Sequence, residues 1–279
     1  MEKIKIITDS TCDLPREIIE KYDIDVMPVL INFGEDSYLE GTEITRDEMM
    51  ERINRENVLP TTAQITPIRF EEHYRKYIEQ GYKVVAIHMS SMMSGTYNSA
   101  LIAKEEFSDE DIVVIDSLRI TSALGMVVYK AARMAKSGSG IKEIEKELLI
   151  YRNQIKSSLV FASLDNLVRG GRLSKGKAMI VGALGIKLML DMDEGEMNVS
   201  GKVRGIKKAV KEIIKKLEST NLKKDEPIVL IDYEGEGIYE PLKEYLDARG
   251  LEYIETTTGC AVAIHSGPNA GGLFFVEEY

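Results

Sequence analysis

Tryptophan is absent from these 279 residues, cysteine occurs twice and histidine three times. Cys12 and Cys260 share no C-x-x-C spacing, which excludes a disulfide framework and the cysteine-rich zinc sites. No H-E-x-x-H and no close histidine pair occurs, so no metal site is expected. A G-x-G-x-x-G after the first strand and a G-x-x-x-x-G-K-[ST] are both missing, which removes the standard dinucleotide and ATP loops. No apolar run is long enough to cross a bilayer. The start, Met1-Glu2-Lys3-Ile4-Lys5-Ile6-Ile7, enters an apolar segment at once and lacks a secretion h-region with a cleavage site. A cytoplasmic location is expected, with at most transient membrane contact. Acidic residues outnumber basic ones, 46 to 36, for a net charge of -10, which argues against nucleic acid as a partner.

What is present is ordinary globular material, 44% hydrophobic and 29% charged, with 13 methionines suited to core filling or to a pocket for flexible apolar partners. The first half repeats strand, polar loop, helix. Strands are expected at Lys5–Thr8, Val26–Phe33, Val84–His88 and Ile112–Ile115, and helices at about Pro15–Lys21, Thr45–Asn54, Ser122–Ala135 and Ile141–Gln154. Thr45 with Glu48 three residues on forms a capping box. That rhythm predicts a parallel sheet with helices on both faces. The loops after Thr8, His88 and Ile115 then share the carboxyl rim, where ligands bind in such sheets. The second half is less regular. It predicts a hairpin at Ile186–Leu190 and Glu196–Lys202, a basic amphipathic helix at Arg204–Leu217, a small-residue helix at Ala178–Leu184 and a strand at Val262–His265. Two α/β domains are expected, 1–155 and 156–279, the second of mixed type.

Three groups of residues carry candidate chemistry. Hydroxyls gather at Thr61-Thr62 and at Ser90 to Thr96, where Gly95 permits close backbone approach beside Ser94 and Thr96. Free N–H groups at a helix start suit an anion, although the same residues also serve as plain caps and turns. Asp9-Ser10 and Asp116-Ser117 repeat the theme at strand ends. His73 reads as a surface residue and His88 as a core one, whereas His265 directly precedes Ser266-Gly267-Pro268 and could donate to a carboxylate or phosphate. Arg169-Gly170-Gly171-Arg172 is a compact basic turn able to fork onto phosphate or an acidic partner, or simply to be solvated.

The chain resembles the DegV family of fatty-acid-binding proteins, the carrier subunits of bacterial fatty-acid kinase. The resemblance rests on Ile7 through Pro15, Ser90 through Ala100, Val114-Ile115-Asp116-Ser117, the Arg169–Arg172 turn and His265-Ser266-Gly267-Pro268, in that order. It implies a two-domain fold with a long-chain fatty acid between the domains. It also implies that Thr62, Ser94 and His265 bind the carboxylate, supported by the loops of Ser10, Thr61, Gly95, Thr96, Asp116, Ser117 and Gly267. No catalytic residue and no cofactor of its own are implied. A separate ATP-binding kinase subunit, engaged through Arg169 and Arg172, would bring ATP and magnesium and form the acyl phosphate. The chain departs from the pattern at Ala63, Ile65, Leu188, Ala263 and Asn269, none of them in the carboxylate trio. Two other readings stand beside this one: a serine hydrolase acting on acyl esters through Ser94 and His265, and a regulatory module with a lipid as a permanent core plug.

Overall fold

The computed structural model describes residues 2–174 and 185–279. The chain divides into two compact units, Met1–Asn153 with Gly259–Ala261, and Gln154–Thr258 with Val262–Tyr279.

Unit 1 is built on a four-stranded sheet in the order β2-β1-β6-β7, formed by β1 (Ile4–Asp9), β2 (Asp25–Met27), β6 (Lys83–His88) and β7 (Ile112–Asp116). All its pairings are parallel. β1 and β6 are each buried over five consecutive residues, so both faces of the sheet are covered. The covering comes from α3 (Pro67–Ile78), α4 (Thr96–Lys104) and the long α5 (Thr121–Ser137). Gly138, in the left-handed region, ends α5, and α6 (Ile141–Gln154) follows. The short α1 (Arg16–Lys21) starts behind Pro15.

The single strand expected over Val26–Phe33 is two strands in two sheets. Pro28 offers no N–H to a ladder, and the chain leaves β2 there. It re-forms as β3 (Leu30–Phe33), the centre of a small antiparallel sheet with β4 (Asp36–Leu39) and β5 (Thr61–Ala63). The capping box forms as expected at the head of α2 (Arg46–Glu56), with Thr45 and Glu48 bonded reciprocally.

Unit 1 also holds Gly259–Ala261 by buried carboxylates. Asp13 accepts from the Gly259 N–H at 2.8 Å and from the Thr121 hydroxyl, and Glu40 accepts from the Ala261 N–H at 2.9 Å. Burial pushes Asp13 up to about 8 and raises Glu40 as well. Both cysteines are buried here, and burial raises both thiols, so neither has the depressed pKa of a reactive cysteine.

Unit 2 is a six-stranded mixed sheet in the order β10-β9-β8-β13-β11-β12. Its strands are β8 (Ile155–Phe161), β9 (Ile186–Asp193), β10 (Glu196–Arg204), β11 (Ile228–Tyr233), β12 (Tyr253–Thr257) and β13 (Ala270–Val276). Only the β11–β12 pair is parallel among the described strands. The helix α8 (Ile206–Ser219) buries Ala209, Val210, Ile213 and Leu217, one helical stripe, in a core with Val160, Met189, Leu230, Leu273 and Phe275. The helix α9 (Tyr239–Ala248) adds Leu242 and Leu246 to it. The helix expected at Ala178–Leu184 lies outside the described residues.

One element differs in kind. Val262–His265, expected as a strand, is part of the helix α10 (Cys260–Ser266). A four-residue apolar run does not separate strand from helix by its pattern. Carboxylates distant in sequence, on Asp13 and Glu40, meet the N–H groups at the start of α10. At its end Gly267, at φ +68°, supplies the left-handed stop and bonds back to the Ala263 carbonyl.

Candidate functional site

The polar loops of unit 1 lie at the carboxyl ends of three parallel strands whose register is level, Thr8 beside Ile87 and His88 beside Asp116. Asp9, fully buried, ties two of them together. One carboxylate oxygen accepts from the Thr11 N–H and hydroxyl, the other from the Met89 N–H at 3.0 Å and His88 Nδ1 at 3.2 Å. Tyr74 Oη lies 3.5 Å from His88 Nε2 and the Phe70 ring stands edge-on to the imidazole, so His88 is a core residue, as its sequence context suggested. Asp116 accepts from the Ser91 and Leu118 N–H groups, Ser117 exchanges bonds with Arg119, and the Ser117 N–H donates to the His88 carbonyl. Ser10 donates to Glu40 at 2.5 Å and accepts from the Val29 N–H. Asp9, Ser10, Asp116 and Ser117 thus form the frame that fixes the rim.

The hydroxyls singled out for ligand binding sit on that frame. Ser94 is half-buried just before α4; its oxygen accepts from the Thr96 N–H at 3.2 Å and lies 3.0 Å from the Thr96 hydroxyl. This is a side-chain turn at a helix start, with Ser94 still half-open to solvent. Thr61 and Thr62 lie on β5, opposite Asn32 and Ile31, and Thr62 is half-buried. Gln64 joins the two groups: its amide donates to Ser99 in α4 at 3.0 Å, and its oxygen lies where a Cβ on Gly95 would be, 1.9 Å away. The bare Gly95 backbone leaves room for the Gln64 amide in this position, and the Thr62 strand meets the Ser94 loop through it. Sequence reading missed Gln64, whose only local signal is its place two residues after Thr62.

In unit 2 the arginine turn and the histidine loop form one corner. The helix α7 (Asp165–Arg169) ends at Gly170, Gly171 turns at φ +74°, and the Arg172 and Leu173 N–H groups both donate to the Leu167 carbonyl. A Cβ on Gly170 would lie 2.2 Å from His265 Nδ1, so the imidazole rests against bare backbone. Asn166 donates to the Ile264 carbonyl at 3.3 Å and packs against Gly267. Burial, then the positive charge of Arg172, lower His265 to about 4, so at neutral pH it is the uncharged imidazole. This corner therefore favours a neutral N–H donor over an imidazolium. Arg172 is half-buried, with its guanidinium donating to the Gly170 carbonyl and its own pKa lowered by desolvation; Arg169 is exposed. Asn166 and Gly170 were not anticipated, because nearly a hundred residues separate them from His265.

Among the described residues no group of three potential ligands is placed to hold a metal, and no helix is long and apolar enough to cross a membrane.

The fold and these loops define a two-unit α/β protein with a parallel-sheet rim rich in hydroxyls and a corner built around a half-buried histidine. The chain belongs to the DegV family, whose model matches residues 3–278. A DegV domain-containing protein of Clostridium perfringens is 63% identical over 279 residues, covering 100% of both chains. A protein of Thermotoga maritima named fatty acid-binding protein is 33% identical, over 97% of this chain and 96% of its own length. A solved DegV family protein from Thermus thermophilus, described by its fatty-acid binding, superposes with a TM-score of 0.88 at 29% identity, over 99% of this chain and 100% of its own.

Proposed function

We propose that this protein binds a long-chain fatty acid and presents the carboxylate to a separate ATP-dependent kinase subunit, which forms the acyl phosphate. The observation that carries the first half is the end-to-end likeness to proteins named for fatty-acid binding. Burying the acyl chain contributes about 0.8 kcal/mol per methylene, so an apolar tunnel supplies most of the affinity. The carboxylate then needs converging donors. Thr62, Ser94 and His265 are the donors proposed. A half-open hydroxyl and a neutral imidazole hold a carboxylate by hydrogen bonds without a full salt bridge, leaving its oxygen nucleophilic toward a phosphoryl donor. Arg169 and Arg172 are the proposed contact with the kinase subunit, and the setting is cytoplasmic.

Gentle purification followed by mass analysis of the extracted ligand tests the cargo. A fatty acid is expected; an empty protein, or one carrying a nucleotide or sugar, rejects the reading. Adding the kinase subunit with ATP and magnesium then tests presentation. Arg169→Ala and Arg172→Ala are expected to slow acyl-phosphate formation while the bound lipid is retained. An unchanged rate in both removes the proposed contact.

A further inference from the structure

A basic concavity of unit 2 is unrelated to the residues assigned above. β10 carries a bulge between Val199 and Gly201, which places Ser200 outside the ladder with β9. A cavity of about 540 Å³ opens there, floored by the buried Ser158, Met189 and Val203. One wall is the bulged stretch of β10 with Lys202; the other is a face of α8 carrying Lys208, Glu212, Lys215, Lys216 and Ser219. Those helix positions recur at three- and four-residue steps, so they form one stripe beside the buried one. Four lysines and one glutamate line it, and with Asp191 paired to Lys216 the local excess is two positive charges in a chain whose net charge is -10. Lys216 is held at the base, donating to the Ser157 carbonyl at 2.9 Å with Asp191 3.5 Å away. Lys202, Lys208 and Lys215 are exposed at the walls.

We propose that this groove is a binding site for a small molecule bearing two or more linked phosphate groups. Its volume lies within the small-molecule range of about 300–1,000 Å³. Lysine ammonium groups act as mobile point charges suited to phosphate oxygens rather than to the planar geometry that arginine forks recognise. Ser200 and Ser219 add hydroxyls on the two walls, and the Met189–Val203 floor offers apolar contact to whatever carries the phosphates.

Calorimetric titration of the full-length protein with inorganic tripolyphosphate at physiological salt tests this. Saturable one-site binding is expected, weakened about tenfold or more by Lys208→Glu with Lys215→Glu, since 1.4 kcal/mol is tenfold. Lys202→Glu on the opposite wall is expected to weaken it too, and keeps the test valid if the double variant on α8 melts early. Lys207→Glu with Lys211→Glu changes the same helix by the same charge outside the groove, and is expected to cost less than about twofold, a purely long-range effect. No saturable binding, or equal loss in both double variants, overturns the proposal. A second arm uses vesicles containing phosphatidylglycerol: binding to them that requires Lys208 and Lys215 and resists competition by tripolyphosphate would also overturn it.

Discussion

The rim of unit 1 and the corner of unit 2 handle polar groups in opposite ways. At the rim, Asp9, Asp116, Ser117 and Ser10 each accept from backbone N–H groups. At the corner, His265 is positioned by close packing on Gly170 and loses its charge through burial and the neighbouring Arg172. A hydrogen-bonded frame fixes where hydroxyls such as Ser94 stand. A packed corner sets the protonation state of a donor. The two units constrain their polar side chains by different physics.

The largest expected effect comes from the rim. Asp9→Ala leaves His88 and the Met89 and Thr11 N–H groups short of a buried acceptor, and should cost about 3–5 kcal/mol in urea unfolding. A loss below ~1 kcal/mol would mean the rim is not the rigid partner in the comparison.

At the corner, Gly170→Ala forces the imidazole off its seat and is expected to cost about 1–3 kcal/mol. Gly171→Ala meets open space but a left-handed backbone, and should cost about 1 kcal/mol. Only Gly170→Ala should move the His265 ring resonances in NMR; equal shifts from both would point to general unfolding of the turn.

Ser94→Ala removes an acceptor for the Thr96 N–H, for about 0.5–2 kcal/mol of stability. Under the proposed function it also weakens fatty-acid retention, whereas loss of turnover on a generic ester would favour the hydrolase reading. The hydrogen bonds of Ser94 with Thr96 describe a side-chain turn just before α4.

The smallest effect is a titration. His265 is expected to titrate near pH 4, and Arg172→Gln to raise its midpoint only part of the way toward 6.5, because burial is the larger cause. Since the unfolded chain binds that proton first, His265 makes stability fall as pH drops from 6.5 to about 4. Asp13 has the opposite sign: folded, it keeps its proton up to about pH 8, so its contribution to stability declines as pH rises from 3.8 to 8. Asp13→Asn should remove that decline and leave the His265 slope in place.

Legibility followed the range of the interactions. The capping box of α2 and the basic stripe of α8 depend on neighbours within a few residues, and residue spacing exposes them. The break at Pro28 was missed, because continuous hydrophobicity outweighed the local signal of a proline inside an apolar run. α10 was misread because the carboxylates meeting its first N–H groups come from Asp13 and Glu40, more than two hundred residues earlier. Thr62, Ser94 and His265 stood out as hydroxyl or imidazole at element ends, yet Gln64, Asn166 and Gly170, which position them, carry no chemistry of their own.

By itself the sequence determined the alternation that makes a parallel α/β unit, the mixed unit after it, and a set of polar loops at strand ends, because hydrophobic period and cap chemistry are local. Only the tertiary structure decided that Gly95 yields its space to Gln64, that Gly170 seats the His265 ring, and that this histidine is neutral. Those outcomes depend on which distant atoms fill a space and how much water they exclude, quantities that no spacing along the chain records.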